Sequence, residues 1–165
     1  MNRILIAGIG NIFLGDDAFG VEVIRRWGHR QLPHGVVAKD FGIRSYDLVY
    51  ALTENFDAVI LVDATPRGEA PGSLYLIQPD LAQIGPCGRD NLAGHSMDPV
   101  RVLRTARALG AGLERLYLVG CEPDSPELEE RMGLSPAVEA AVPKAVQMIE
   151  TLVADLLEPQ QAQAA

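Results

Sequence analysis

Cysteine is scarce: only Cys87 and Cys121 occur in 165 residues, and no CxxC pair exists. That excludes a disulfide framework and a zinc-ribbon pattern, and both thiols are expected reduced and unpaired. Positive charge is also short, because 14 Lys and Arg against 22 Asp and Glu leave a net charge of −8. Phosphate binding needs concentrated Lys and Arg, so nucleic acid is not an expected partner, and a basic or metal-bearing one is. No apolar run approaches the ~18 residues of a membrane span, so no membrane insertion is expected. The opening MNRILIAGIGN puts a strand and a glycine turn where a signal peptide would need a longer apolar segment and a cleavage site. A cytoplasmic protein is the expectation. HExxH and GxSxG are absent, which removes the zinc-protease helix and the serine elbow.

What is present alternates between strand and helix signals. An apolar run from Arg3 to Ala7 meets Gly8-Ile9-Gly10-Asn11, and an amphipathic stretch from about Asp17 to Trp27 comes next. Val36 to about Asp40 reads as a second strand and Tyr46 to Thr53 as a helix. Ala58 to Asp63 is apolar until its last residue, as a strand covered on both faces should be. Ser73 to Ile77 and Arg115 to Cys121 read as further strands. Asp98-Pro99 opens one helix and Ser135-Pro136 caps the last, which runs to about Leu157 with a kink expected at Pro143. Residues 79–97 are rich in Gly, Pro, Asp and Asn and form a long loop of the kind that carries function. The pattern predicts one α/β domain over residues 1–157, with a mostly parallel central sheet, helices on both faces, and a disordered tail at 158–165. Such sheets bind ligands beyond the carboxyl ends of their strands.

The glycine loop invites two nucleotide readings, and chemistry disfavours both without removing the dinucleotide one. A dinucleotide fingerprint needs Gly or Ala where Phe13 stands, and a bulky ring there would obstruct close packing of helix on strand. Asp40, at the end of the second strand, is the feature that favours it. Gly10 and Gly15 have P-loop spacing, but Asp16-Asp17 replace the Lys and Ser or Thr, and two carboxylates repel phosphate and attract a cation. A tight turn with Asp16 as helix N-cap accounts for the glycines and one acid, and leaves Asp17 unexplained.

Two more polar residues fall at loop positions. Asp63 ends an apolar strand and reads either as a cap for the turn at Thr65-Pro66 or as a carboxylate that is paired or metal-bound. His95 precedes a helix N-terminus and reads either as a solvated loop histidine or as a neutral metal ligand. If the first and third strands are neighbours, Asp17, Asp63 and His95 converge above the carboxyl edge. That O/N set suits a borderline divalent ion such as zinc or nickel.

Taken in order, Gly8-Ile9-Gly10-Asn11 with Asp16-Asp17 and Gly20, Val62-Asp63-Ala64, Gly94-His95, Val119-Gly120-Cys121-Glu122-Pro123 and Gly133-Leu134-Ser135-Pro136 resemble the hydrogenase maturation proteases. The resemblance runs from residue 1 to about residue 157. It implies a three-layer α/β/α sandwich of the phosphorylase/hydrolase-like kind. It also implies an endopeptidase that trims the C-terminal extension from the large-subunit precursor of [NiFe] hydrogenase. The nickel is implied to arrive with the precursor, and an adventitious divalent ion can stand in for it in the isolated protein. Asp17, Asp63 and His95 match the family's metal ligands, and Asp40 matches a further acidic residue that handles substrate. The chain departs from the family at Asp40-Phe41-Gly42-Ile43-Arg44-Ser45, where many members read Asp-Gly-Gly-Thr-x-Gly. A metallochaperone or metal sensor using the same three ligands without hydrolysis is the competing class.

Overall fold

A computed structural model describes residues 3–28, 30–80, 98–113, 115–125, 127 and 130–158. His95, Cys87 and His29, nearly all of the long loop and the tail from residue 159 lie outside the described residues. Strand β1 (Ile4–Ile9) leads through a 3₁₀ turn (Gly15–Ala18) into helix α1 (Phe19–Trp27). Strand β2 (Val36–Gly42), helix α2 (Ser45–Thr53) and strand β3 (Ala58–Ala64) come next. The chain continues through strand β4 (Leu74–Ile77), helix α3 (Pro99–Ala108), strand β5 (Leu116–Cys121) and helix α4 (Pro136–Leu157).

The strands form one sheet in the order β2-β1-β3-β5-β4, parallel except for β4, which runs antiparallel along the β5 edge. Because β3 lies on the other side of β1 from β2, the chain reverses its winding direction there. That reversal opens a crevice at the carboxyl ends of β1 and β3. Strand alternation fills both faces. Ile4, Ile6, Ile60 and Val62 point into a core shared with α1 and α4, while Leu5, Ala7, Ile9, Val59 and Leu61 point into one shared with α2 and α3. Each fully buried aliphatic side chain contributes about 1.5–3 kcal/mol, so this two-sided burial makes the three-layer α/β/α arrangement the stable one. Helix α4 buries a single stripe, Val138, Ala141, Val142, Ala145, Val146, Ile149, Leu152, Val153 and Leu156. It runs uninterrupted through Pro143, whose ring sits on the exposed side, as does Glu139, whose carbonyl loses its intrahelical donor there.

Several local expectations need correction. Helix α1 starts at Phe19 rather than Asp17, because Gly15–Ala18 winds as a 3₁₀ turn first. Asp16 caps neither element, as its carboxylate is occupied by Ser135 and Asp124. Ser135 does sit at the N-cap of α4, but its hydroxyl donates to Asp16 instead of capping the helix. Phe13 does not obstruct the packing of helix on strand, since it lies 60% exposed and the close approach is made at Gly20. A Cβ on Gly20 would stand 2.0 Å from the Val62 carbonyl oxygen and 2.4 Å from that of Ile9. Only a residue without a side chain lets α1 lie this close to β1 and β3. Among the described residues no helix is long and apolar enough to cross a membrane.

Candidate active site at the carboxyl edge of the sheet

The segments just beyond each strand line the crevice. After β1, Gly10 has a φ of +140° and its amide donates to the Gly42 carbonyl at 3.1 Å, joining the ends of β1 and β2. A Cβ on Gly10 would lie 1.8 Å from the Asp17 carbonyl oxygen, so glycine is required for the loop to fold back on the 3₁₀ turn. The Asn11 amide then donates to Asp17 Oδ2 at 2.8 Å, while Asn11 Oδ1 accepts from the Phe13 amide at 3.0 Å. Asp17 is thereby fixed by the loop it helps to close.

Strand β3 carries Asp63 to the same edge, in register with Gly120 of β5. A Cβ on Gly120 would come within 2.5 Å of Thr65 Oγ1, so that glycine makes the space in which the chain turns after Asp63. The turn is held by the Thr65 amide donating to the Cys121 carbonyl at 2.8 Å and the Thr65 hydroxyl donating to the Asp63 carbonyl at 3.3 Å. The Asp63 carboxyl accepts from the Ala64 amide at the start of this turn, a contact that does not offset its burial.

Electrostatics set Asp17 and Asp63 apart. Burial pushes the Asp63 carboxyl well above the usual carboxylate range, the Asp17 charge pushes it further, and the Ala64 amide only partly offsets them. Burial also raises Asp17, against the opposing pull of the Asn11 amide. Two raised carboxyls, with no basic side chain paired to either among the described residues, attract whatever positive charge is offered. They are suited to hold a divalent cation or to take part in proton exchange. The structure thus brings Asp17 and Asp63 together. Asp40 stands on the same edge, level with Gly8, but on β2, so that β1 separates it from Asp63. The described residues hold no group of three His, Cys, Asp or Glu placed to bind a metal ion, and His95, the third expected ligand, lies outside them.

One residue had no role assigned from sequence. Glu122, buried just past β5, accepts hydrogen bonds from the Arg67 amide at 2.8 Å, the Gly68 amide at 3.1 Å and the Tyr75 hydroxyl. Burial alone would raise its carboxyl, but the hydrogen bonds from Tyr75 and from the amides of Arg67, Gly68 and Glu69 outweigh that and lower it. Glu122 therefore clasps the loop between β3 and β4, directly after Asp63. The available signal was a carboxylate immediately beyond an apolar strand, the same one that marked Asp63.

Fold and site together define a doubly wound α/β protein with an acidic pair facing the crevice where its winding reverses, a place for a ligand rather than for core. The model of the HycI hydrogenase maturation protease family matches residues 21–152. The hydrogenase 2 maturation protease of Escherichia coli K12 is 32% identical over 149 residues, covering 89% of this chain and 88% of that protein. The solved structure of the hydrogenase maturating endopeptidase HybD from E. coli superposes with a TM-score of 0.78 at 30% identity, covering 93% of each chain. That of the [NiFe] hydrogenase maturation protease HycI from Thermococcus kodakarensis KOD1 gives 0.65 at 28% identity, covering 96% of this chain and 94% of that one. The chain belongs to the hydrogenase maturation protease family, and so to the peptidases.

Proposed function

We propose that this protein is the endopeptidase that removes the C-terminal extension of a nickel-loaded [NiFe] hydrogenase large-subunit precursor. The observation that carries the reading is the pair Asp17 and Asp63, both raised and unpaired with any base among the described residues, at the switch point of the sheet. The family and its relatives, which are named as hydrogenase maturation proteases, support the substrate class. Nickel here belongs to the substrate. Two carboxylates with the His95 imidazole make an O/N donor set that fits a borderline divalent ion, so these three residues hold the metal-bearing end of the precursor. A precursor without nickel gives them nothing to hold, which makes recognition a check on maturation. Asp40, on the neighbouring strand end, meets the tail of the precursor.

The test is intact-mass analysis of a cognate large-subunit precursor, with and without nickel, after incubation with this protein. Loss of one C-terminal peptide from the nickel-loaded form alone is the expected result. Absence of cleavage in both forms overturns the peptidase reading in favour of a metal carrier. Normal processing by a folded His95→Ala variant overturns the ligand assignment.

A further inference from the structure

The two adjacent aspartates of the 3₁₀ turn do different work. A 3₁₀ turn advances about 120° per residue, so consecutive side chains cannot face the same way. Asp17 turns to the crevice and the Asn11 amide. Asp16 turns inward, is 8% exposed, and is saturated with donors. Its Oδ1 accepts from the Ser135 amide at 2.6 Å, and its Oδ2 accepts from the Ser135 hydroxyl at 2.8 Å and the Asp124 amide at 2.9 Å. The Arg131 guanidinium lies 3.9 Å from Oδ1. Main chain ties the turn to Arg131 as well, with the Gly15 amide donating to the Arg131 carbonyl at 2.7 Å and the Arg131 amide donating to the Phe13 carbonyl at 3.0 Å.

A turn of four residues has too few hydrogen bonds of its own to hold one orientation. Its direction is set by what it is tied to. We propose that Asp16 is a positioning residue: its buried carboxylate pins the 3₁₀ turn to the N-terminus of α4 and to the segment after β5, and so fixes where Asp17 presents its carboxylate. The positive end of the 22-residue helix α4 favours a negative group at that point, which holds the anchor in place. Asp16 touches no substrate and acts only through its neighbour. This inference rests on the site role given to Asp17 above.

The test separates geometry from activity. Asp16→Asn puts an N–H2 where the Asp124 amide and Ser135 hydroxyl now donate; Ser135→Ala removes only the hydroxyl, and Ser135→Thr keeps it. Ile149→Val, a buried change elsewhere on α4, controls for lost stability. The first readout is the Asn11 amide in ¹H–¹⁵N spectra of the whole chain, because that proton reports its bond to Asp17. The second is kcat and KM for precursor processing. Asp16→Asn and Ser135→Ala should move the Asn11 amide toward a solvent-like position, Ser135→Thr should restore it, and Ile149→Val should leave it unchanged. Processing by Asp16→Asn should fall about tenfold or more in kcat/KM, since a small misplacement of a group that positions the substrate costs that much. An Asn11 amide that stays put in both Asp16→Asn and Ser135→Ala, or moves as far in Ile149→Val, overturns the proposal. If Asp16→Asn does not fold, Ser135→Ala decides alone. The amide readout needs no substrate, so wild type that fails to process any precursor counts against the proposed function while the positioning role is still decided.

Discussion

Alanine at Gly20 would set a methyl group against main chain from two strands at once. The nearest atoms to that Cβ are the Val62 carbonyl oxygen at 2.0 Å, the Ile9 carbonyl oxygen at 2.4 Å and the Ile9 nitrogen at 2.7 Å. An ordinary carbon–oxygen contact is about 3.3 Å, so α1 must retreat by about 1 Å from two strands whose pairing fixes them. No flexible side chain is available to yield, and α1 also carries the buried Phe19, Val23, Ile24 and Trp27. Overpacking a core costs about 1–3 kcal/mol, and with rigid backbone on the receiving side we place Gly20→Ala at ~3 kcal/mol or more. At about 2–4 °C per kcal/mol for a chain of this size, the melting temperature should fall by roughly 6–12 °C. Helix propensity alone predicts the opposite sign, since Ala is favoured over Gly by about 1 kcal/mol in a helix interior. Urea denaturation of wild type and Gly20→Ala, with Gly112→Ala as a control that meets nothing within 4 Å, measures the difference. A Gly20→Ala protein as stable as wild type would refute the claim that α1 is seated by backbone contact. Because Val62 and Ile9 immediately precede Asp63 and Gly10, processing should fall with stability, whereas Gly112→Ala should leave both near wild type.

Three further outcomes rest on the buried ionisable groups. Asp63→Asn should stabilise the metal-free protein at pH 7 to 8 while abolishing processing. The folded carboxyl is raised above its unfolded value, so its charge costs stability at neutral pH and nothing below the unfolded value. The gain over wild type should shrink as the pH falls through the raised value, and urea melts showing no gain at neutral pH would sink the argument. Glu122→Gln should lose about 1–3 kcal/mol at pH 7, because an N–H2 then faces donors that the carboxylate accepts. Glu122 is lowered by folding, so its contribution is present above the unfolded value and lost as the pH falls through the folded one. Wild type and variant should therefore converge in strong acid; a gap that persists unchanged there points to packing instead. Finally, burial with the nearby Asp16 and Glu122 charges pushes the Cys121 thiol up to about 12. In a Cys87→Ser background, alkylation at pH 8 should proceed only after unfolding, and fast labelling of the native protein would contradict that burial.

Periodicity and turn chemistry alone determined most of the architecture. The apolar run Ala58 to Val62 specified a strand buried on both faces, and Ser135-Pro136 marked the start of the helix that ends at Leu157, as found. Alternation of strand and helix implied a parallel sheet, and that implied which loops carry chemistry: Asp17, Asp63 and His95 are expected at one edge, where the structure brings Asp17 and Asp63 together, while His95 lies outside the described residues. These signals are local, carried by residues a few positions apart. The tertiary structure decided the rest. It ordered the strands, put Gly20 rather than the residue at Phe13 at the close approach of helix to strand, and turned Asp16 away from the crevice that Asp17 faces. It also gave Glu122 its clasp on the loop after Asp63. In an irregular turn the direction of a side chain is set by partners, and those of Asp16 lie 108 and 119 residues along the chain. No spacing rule within the turn contains that information, because the hydrogen bonds that choose between two adjacent aspartates exist only once the sheet has brought distant segments together.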